Sequence, residues 1–439
     1  MVESTGVDPW EALRALPMGR RIELTDPAGH VWTGTVVPRH ELSGDRVLPL
    51  KLESGYNVGI RIEPGTQYRV LEGAGRGGSP TIRSPRSMSA TPPASPQVTL
   101  LTTGGTIASR VDYETGGVRP VGDEREILEF YPELGAGGPV RIVPVLDRLS
   151  EDIVPDDWML IGKRVVEAFR DGARGVAIAH GTDTLGFTAA ALSFLLADLP
   201  GPVVLVGAQR SPDRPSSDGP SNLAAAVRVA REGEFGEVVV VMHANLSDDA
   251  FSIHRGTQVR KMHASRRDAF ESRNDPPLGR LDGSGLHFER TTRPRSTGPA
   301  RLDGPLDRHG ALLTFYPGLT PARAAAFVDG LRGIVLAGTG LGHVSTEHLP
   351  WIREATGKGV IVAMTTQCLE GNVDPFVYAT GRELAGSGVT YLGDLLPETA
   401  YAKLLWALGH GSTPAEVRAL LEADVAGEFE WRHRPEVAP

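Results

Sequence analysis

The chain opens with a series of short apolar segments separated by turn residues. Between about residue 20 and residue 72, four segments alternate or run apolar over strand length, with Pro, Gly or Asp breaking the pattern between them. These segments read RRIELTD, VWTGTVVP, VLPLKLES and NVGIRI. Strands this short and this close together predict a small β-barrel rather than an enzyme core, so we expect residues 1–72 to form a separate β-barrel domain.

A segment of different composition follows. Residues 73–96, GAGRGGSPTIRSPRSMSATPPASP, are dense in Gly, Ser and Pro and nearly free of large apolar side chains. Such a composition cannot bury a core and is typical of a flexible linker. The segment therefore predicts a domain boundary.

From Gln97 onward, apolar runs of strand length alternate with helix-like stretches. The runs VTLLTT, GVAIAH, PVVLVGA and EVVVVMHA are largely apolar, whereas DWMLIGKRVVEAFRDG and SDGPSNLAAAVRVAREGE are helix-like. Ser217 or Asp218 is a candidate N-cap for the second helix. This alternation, which resumes from about residue 310, predicts an α/β fold with parallel sheets covered on both faces. We expect one such domain over 97–305 and a smaller one over 306–439.

Composition narrows the class of protein. A length of 439 residues fits about three domains, and 40% hydrophobic with 23% charged residues is ordinary for a globular chain. The net charge of −9 argues against a chain that grips nucleic acid over its whole surface, because phosphate contacts need clustered cations. Apolar runs such as VVVVM at 238–242 are too short to span a bilayer, so we expect no membrane segment.

Cysteine usage indicates a reducing compartment. Cys368 is the single cysteine, which excludes an intrachain disulfide and a Cys-rich zinc site. The N-terminus carries Glu3 and Asp8 where a secretory signal needs a basic start and an apolar stretch. We therefore expect a cytoplasmic protein in which Cys368 is a small buried residue.

Two threonine segments fall just beyond the carboxyl ends of predicted strands, where open parallel sheets place their ligand sites. They read TTGGT at 102–106 and HGTDT at 180–184. Each puts a hydroxyl beside a glycine, which lets a substrate approach the backbone closely. Either segment alone could equally well cap the helix that follows it. The presence of both in one sheet favours catalysis.

A threonine hydroxyl is a weak nucleophile at neutral pH and needs a neighbouring base. The chain has five lysines, and an arginine cannot give up its proton in a protein. Lys261, in HRGTQVRKMHASRRDAFES, could be tuned towards the working pH beside a carboxylate such as Asp183. Spacing alone favours the alternative, in which Lys261 belongs to a solvated basic face with neighbouring arginines.

Other motifs carry weaker signals. GTGLGH at 338–343 lacks the complete G-x-G-x-x-G pattern and predicts a glycine-rich turn rather than a dinucleotide site. His243, His254 and His263 follow no standard zinc spacing, so we expect no metal site. The basic stretch 255–273 either faces a protein partner or tRNA, or forms a solvated, ion-paired surface, and the second is the default expectation.

Taken together, TTGGTIAS, VDYETGG, HGTDT and Lys261 resemble the two signature regions of the bacterial-type asparaginases and glutaminases. That family has a two-domain α/β fold and a threonine nucleophile, and the similarity runs from about Gln97 to about residue 432. HRGTQVRKMHASRRDAFES and the small first domain resemble one branch, the D subunits of archaeal-type glutamyl-tRNA(Gln) amidotransferases. The long linker at 73–96 departs from that pattern and leaves the placement of the first domain open.

The resemblance implies a role for each matching residue. It makes Thr103 the nucleophile and Tyr113 a tyrosine that assists it, while Thr182, Asp183 and Lys261 form a second catalytic trio. Substrate contacts fall to Ser150 and Glu151, which match positions around the substrate α-carboxylate, and to Gly104 in the glycine-rich turn. Whether Tyr113 or the Thr182–Lys261 pair removes the first proton stays open.

The resemblance also implies a function. The chain would release ammonia from glutamine for a kinase–transamidase partner, the E subunit, which converts Glu-tRNA(Gln) to Gln-tRNA(Gln) and contacts most of the tRNA. No cofactor is expected in this chain, since ATP and Mg would be used by the partner, and we expect a homodimer within a heterotetramer. Two alternatives remain, a free-standing L-asparaginase and a non-catalytic scaffold. A scaffold predicts erosion of the nucleophile set, which is complete here.

Overall fold

The computed structural model describes residues 8–17, 19–37, 45–52, 57–71, 98–104, 109–111, 118–120, 134, 138–210 and 217–430. The predicted linker at 73–96 and Tyr113 lie outside the described residues. None of the helices in the described part of the chain has the length and apolar character needed to cross a membrane.

The first domain is a small antiparallel sheet with one helix. Its strands pair in the order β4-β3-β2-β1-β5. Alternating side chains of the first strand, Ile22 and Leu24, are fully buried and share a core with Trp10 and Leu13 of the helix. The elements are α1 Pro9–Arg14, β1 Arg21–Thr25, β2 Val31–Val36, β3 Val47–Leu52, β4 Asn57–Arg61 and β5 Gln67–Val70.

The central domain is built on an eight-stranded sheet. The strands of this sheet are β6 Val98–Thr102, β9 Val140–Pro144, β10 Gly175–Ala179, β12 Val203–Val206, β13 Val238–His243, β14 Ala250–Arg255, β17 Gly279–Asp282 and β18 Gly285–Phe288. Three short pairs lie outside it: β7 Ser109–Val111 with β8 Val118–Pro120, β11 Leu196–Ala197 with β19 Arg301–Leu302, and β15 Val259–Lys261 with β16 Phe270–Ser272. The helices are α2 Pro155–Arg170, α3 Leu185–Leu195 and α4 Gly219–Glu232. A 3-10 turn covers Ser150–Asp152.

The strand order of this sheet is β18-β17-β14-β13-β12-β10-β6-β9. The five strands from β13 to β9 are parallel, as predicted, and the other three add antiparallel pairs that the sequence pattern did not indicate. Every side chain of β6, β10, β12 and β13 is buried. Because successive side chains point to opposite faces, both faces of these strands are covered.

The C-terminal domain, residues 306–430, has a second and smaller parallel sheet in the order β20-β21-β22-β23. Its strands are β20 Gly310–Thr314, β21 Gly333–Gly338, β22 Ile361–Thr366 and β23 Thr390–Tyr391. Its helices are α5 Pro321–Val328, α6 Leu349–Gly357, α7 Ala379–Gly386, α8 Pro397–His410 and α9 Pro414–Glu422, and a 3-10 turn covers Thr346–His348. The architecture confirms the predicted α/β class with two sheet domains after a small β domain.

Helix α8 joins the two larger domains. Its Trp406 ring stacks on Phe194 of α3 with the ring centroids 6.0 Å apart, and Tyr401 meets Phe187 edge to face. Lys403 of the same helix is fully buried and forms an ion pair with Glu428 at 2.6 Å. One helix therefore packs against the central domain and anchors the last described segment of the chain.

A neutral histidine follows strand β10. His180 is fully buried, and its Nδ1 lies 2.7 Å from the carbonyl oxygen of Gly181, while its Nε2 lies 2.9 Å from Oγ1 of Thr188. Thr188 also accepts a hydrogen bond from the indole of Trp158 at 3.0 Å. Burial lowers the pKa of His180 to about 4, and the chain of donors fits an imidazole that donates only through Nδ1.

We predict that His180 makes folding stability depend on pH. The pKa is about 4 in the folded chain and about 6.5 when unfolded, so the unfolded state binds more protons between these values. The stabilisation is complete above pH 6.5 and is lost as pH falls towards 4, at about 1.4 kcal/mol per pH unit. The slope of the unfolding free energy against pH, measured by urea unfolding, should be shallower by that amount in His180→Gln than in the native protein. Equal slopes in the native protein and in His180→Gln would contradict the prediction.

Candidate active site

The two threonine segments meet because β6 and β10 are parallel neighbours. Thr102 pairs with Ala179, so both strands end at the same level. The backbone N–H of Thr103 donates to the carbonyl oxygen of Ala179 at 3.1 Å, and its Oγ1 donates to the same oxygen at 3.1 Å. Thr103 is fully buried. Its hydroxyl is thus held in a fixed direction at the carboxyl end of the sheet.

The residue after Thr103 has to be a glycine. Gly104 has a φ of +92°, and a Cβ there would lie 2.6 Å from the carbonyl oxygen of Arg148. The backbone N–H of Arg148 donates to the carbonyl oxygen of Thr103 at 3.1 Å. The glycine therefore allows the segment before Ser150 to lie directly against the Thr103 turn.

Thr182, Asp183 and Lys261 form one hydrogen-bonded cluster. Nζ of Lys261 donates to Oγ1 of Thr182 at 2.9 Å and to Oδ1 of Asp183 at 2.7 Å. The side chain of Lys261 is 14% exposed, whereas that of Asp183 is 66% exposed. Lys261 therefore lies against the threonine segment, and the interpretation that it belongs to a solvated basic face is wrong.

Glycines also frame this cluster. A Cβ on Gly207, which follows β12, would lie 2.6 Å from Cγ2 of Thr182, and a Cβ on Gly181 would lie 2.8 Å from Cβ of Ser150. Neither position has room for a side chain. The tight approach fixes Thr182 between neighbouring strand ends.

Ser150 and Glu151 lie in the 3-10 turn beside the second threonine segment. Oγ1 of Thr184 donates to the carbonyl oxygen of Ser150 at 2.6 Å, and Oγ of Ser150 donates to Glu151 at 3.3 Å. Ser150 is buried, whereas Glu151 is exposed. Of the eight predicted site residues, seven are therefore placed at or beside the ends of β6 and β10, and Tyr113 lies outside the described residues.

The hydrogen bonds that support the site from beneath were not predicted from the sequence. Of the two candidate caps for α4, Ser217 accepts at its Oγ from the backbone N–H of Gly219, the first residue of the helix, at 3.1 Å. Asp218 precedes α4, but its side chain makes no cap hydrogen bond, so the prediction is wrong for Asp218. Its buried carboxylate instead accepts from the backbone N–H groups of Gln209 and Arg210, each at 3.0 Å. Asn222 donates to Asp218 at 3.1 Å and to the carbonyl oxygen of Gly207 at 3.0 Å. These bonds hold the turn after β12, next to Thr182.

Thr184 and Asp218 differ in how far sequence could have revealed them. Thr184 is the second of the two threonines in HGTDT, so its hydroxyl could be recognised from the sequence. Asp218 was visible only as a residue before a helix, because its partners come from a turn eight to nine residues earlier.

The arginines of the basic stretch 255–273 pair with carboxylates of the chain itself. These pairs are Arg255–Glu237, Arg260–Glu398, Arg266–Asp268, Arg267–Asp248 and Arg273 with Glu271 and Glu370. The pairing supports the interpretation of an ion-paired stretch. Among the described residues there is no group of three His, Cys, Asp or Glu side chains able to hold a metal ion.

Cys368 corrects a further expectation. It was predicted to be buried, but it is exposed. It lies in the turn after β22, where its backbone N–H donates to Oγ1 of Thr366 at 3.0 Å. This hydrogen bond fixes the backbone of the turn, and the thiol of Cys368 lies outside the core.

The arrangement supplies two hydroxyls, one ammonium and one carboxylate at a single edge of the sheet. Such an edge is the usual ligand position of an open α/β sheet. The lysine and carboxylate are within hydrogen-bond distance of one another, and the lysine also reaches Thr182, which is the geometry required for moving a proton to or from a hydroxyl. The site is chemically suited to acyl transfer through a threonine.

Family models cover most of the described chain. The model described as "Asparaginase, N-terminal" matches residues 97–294, and "Glutaminase/Asparaginase C-terminal domain" matches 311–421. The model described as "GatD N-terminal domain" matches 16–71. The chain is thus similar to asparaginase-fold hydrolases over its two larger domains and carries a third domain before them.

Solved structures share the fold. The thermostable L-asparaginase from Thermococcus kodakarensis is 35% identical, with a TM-score of 0.69, and the match covers 76% of this chain and 99% of that one. L-asparaginase I from Vibrio cholerae is 29% identical, with a TM-score of 0.66 and the same coverage of both chains.

Curated relatives match over nearly the whole chain. The D subunit of glutamyl-tRNA(Gln) amidotransferase from Methanopyrus kandleri is 45% identical over 94% of this chain and 92% of its own length. Its counterpart from Pyrococcus abyssi is 44% identical over 96% of this chain and 97% of its own. With the matching first domain and the asparaginase-type hydrolase domains, this chain belongs to the family of glutamyl-tRNA(Gln) amidotransferase D subunits.

Proposed function

We propose that the chain hydrolyses the side-chain amide of glutamine with Thr103 as nucleophile and supplies the ammonia to a transamidase partner. The observation that carries the proposal is the Lys261–Thr182–Asp183 cluster at the edge of the sheet where Thr103 also lies. The lysine is within hydrogen-bond distance of both other groups, and the neighbouring hydroxyl of Thr103 is fully buried.

In the first step, Oγ1 of Thr103 attacks the amide carbon of glutamine. A C–O bond forms, the C–N bond breaks, and the threonine proton leaves with the nitrogen as ammonia. Water then attacks the acyl group, releases glutamate and returns the proton to Thr103. We propose that the Thr182–Lys261 pair relays protons in these steps, and Tyr113 is the second candidate for the first proton transfer.

The developing oxyanion needs preorganised donors. Backbone N–H groups of the glycine-rich turn that begins at Gly104 are our candidates, since donors fixed in a dry site stabilise such charge most strongly. Ser150 and Glu151 are proposed to hold the α-carboxylate of the substrate and its surroundings. The hydrogen bond from Thr184 holds this turn next to the threonine segment, so a substrate bound to Ser150 and Glu151 would have a fixed position relative to the cluster.

The partner is proposed to be the kinase–transamidase E subunit, which converts Glu-tRNA(Gln) to Gln-tRNA(Gln) and contacts most of the tRNA. ATP and Mg²⁺ are assigned to that partner, and no cofactor to this chain. The net charge of −9 supports a chain that leaves most of the tRNA contact to its partner. A homodimer within a heterotetramer and a cytoplasmic setting belong to the same proposal.

A free-standing asparaginase is the second candidate, and the comparisons favour it less. The two solved L-asparaginases match 76% of this chain at 35% or 29% identity. The D subunits from Methanopyrus kandleri and Pyrococcus abyssi match 94% and 96% of this chain at 45% and 44% identity, and a separate family model accounts for 16–71. A catabolic asparaginase has no need of that additional domain.

Thr103→Ala should abolish use of glutamine but not of free ammonia. Removing the nucleophile should lower glutamine-dependent amidation by roughly 10³-fold or more, because the remaining binding groups cannot form the acyl bond. The assay is amidation of Glu-tRNA(Gln) by the assembled complex with glutamine or an ammonium salt. Thr99→Ala is the matched control, since Thr99 is a buried threonine of β6, the strand that Thr103 follows. Retained glutamine use in Thr103→Ala would rule out the nucleophile assignment.

Lys261→Met should impair glutamine hydrolysis without weakening substrate binding to the same degree. Methionine fills the same space but cannot exchange a proton with Thr182, and proton transfer is worth about 10²–10⁴ in rate. Steady-state release of ammonia gives kcat and KM. Lys163→Met, on the exposed side of α2, is the control. A kcat within twofold of the native enzyme would remove Lys261 from the mechanism.

Charge reversal at Arg266 tests whether the basic stretch contacts a partner. Arg266 is half exposed and pairs locally with Asp268, so we expect Arg266→Glu to leave complex formation and tRNA-dependent amidation unchanged. Gel filtration of the complex and the amidation assay measure both. A weaker complex would instead assign this surface to the partner or to tRNA.

A further inference from the structure

Lys261 is carried by a short hairpin of the central domain. Strands β15 and β16 pair through Val259 with Ser272 and through Lys261 with Phe270. We call residues 257–274 the lysine hairpin. Its loop, 263–266, is exposed, whereas its base, at Thr257 and Gln258, is buried. What holds the base therefore determines where Lys261 lies.

The base of the lysine hairpin is bonded to the C-terminal domain. Oγ1 of Thr399, in the first turn of α8, donates to the carbonyl oxygen of Thr257 at 2.7 Å. Thr399 is 2% exposed and Thr257 is 1% exposed. A buried carbonyl without a partner is costly, so this bond is strongly preferred over an open arrangement.

The other strand of the lysine hairpin ends in a second bonded residue. Asn274 has a φ of +65°, and its side chain bonds in both directions. Nδ2 donates to the carbonyl oxygen of Asp394 at 2.9 Å, and Oδ1 accepts from the backbone N–H of Gly371 at 2.7 Å. Both partners belong to the C-terminal domain, so each strand end is fastened to it separately.

Charged contacts add to these two bonds. Arg260 lies 3.4 Å from Glu398 of α8, and Arg273 pairs with Glu370. Beside the base, Arg290 donates to Gln258 and to Glu430, each at 2.9 Å. The C-terminal domain thus contacts the lysine hairpin through α8, the loop after β22 and the loop after β23, and Arg290 bridges Gln258 to Glu430.

Helix α8 also supports the other partner of the Lys261 bond. Thr182 and Asp183 lie just before α3, and α3 packs on α8 through Phe194 and Trp406. One helix therefore contacts both elements that bring Lys261 and Thr182 together. The 2.9 Å separation between Nζ of Lys261 and Oγ1 of Thr182 therefore spans two elements that both rest on α8.

We propose that Thr399 and Asn274 are positioning residues that hold Lys261 in register with Thr182 and Asp183. The inference rests on the proposed role of Lys261 in amide hydrolysis. The C-terminal domain then contributes to the reaction through the geometry of the lysine hairpin. Its effect is specific to the turnover step, because Ser150, Glu151 and Thr103 lie outside the hairpin.

The test compares variants that delete one bond each without straining the backbone. Thr399→Val keeps the shape and loses the donor, and Asn274→Gly loses both side-chain bonds while glycine accepts the positive φ. Thr356→Val is the matched control, since its hydroxyl donates to the carbonyl oxygens of Ile352 and Ser387 inside the C-terminal domain. Glutamine hydrolysis is measured with the full chain assembled with its transamidase partner and charged tRNA.

We expect Thr399→Val and Asn274→Gly each to lower kcat about tenfold, because a small misplacement of a proton-transfer group is costly. KM should stay within about twofold, Thr399→Ser should restore the native kcat, and Thr356→Val should leave kcat unchanged. Amide hydrogen exchange in residues 259–272 should be faster in Thr399→Val and Asn274→Gly, but not in Thr356→Val. A kcat equal to that of Thr356→Val, or a parallel change in KM, would overturn the positioning role.

Lys261→Met in the same assay separates this inference from the proposed function. If Lys261→Met is inactive while Thr399→Val and Asn274→Gly have the kcat of Thr356→Val, the positioning role fails and the mechanism stands. If Lys261→Met turns over normally, the role of Lys261 fails and the positioning inference fails with it.

Discussion

The parallel pairing of β6 with β10 is the constraint on which the candidate site depends. Because Thr102 pairs with Ala179, the residues that follow the two strands are delivered to one edge of the sheet at one height. Thr103 is then bound twice to the carbonyl oxygen of Ala179, once by its backbone and once by its hydroxyl. A slip of one residue in this register would turn Thr103 to the opposite face and separate it from Thr182.

Two costs follow from bringing these groups together. A nearly buried ammonium loses hydration, and Lys261 recovers part of it through Asp183 and Thr182. Close approach of three strand ends also excludes side chains, so Gly104, Gly181 and Gly207 occur where a Cβ would clash. Long-range contacts hold these groups together despite both costs, since the lysine lies on a hairpin that is hydrogen-bonded to the C-terminal domain.

Much of this architecture could be predicted from the sequence. Fully apolar strands indicated the parallel sheet, and the position of threonines after two of them indicated the site edge, because both patterns are local. Lys261 could not be placed in this way, since it bonds Asp183 across 78 residues and its hairpin has no strong strand pattern. Asp218 and Cys368 were misjudged for a related reason: each was assigned from its own residue type, whereas its environment is set by a turn. The three antiparallel strands β14, β17 and β18 also escaped prediction, because short segments do not reveal the direction of pairing.

Glutamine hydrolysis by this route requires a covalent bond between the substrate and Thr103 at the edge of the sheet. A glutamine analogue with a diazoketone in place of its side-chain amide would alkylate the attacking hydroxyl. Peptide mass spectrometry of the labelled complex then identifies the modified residue. We expect a single adduct at Thr103, whereas a label at Thr182 with Thr103 unmodified would rule out Thr103 as the nucleophile.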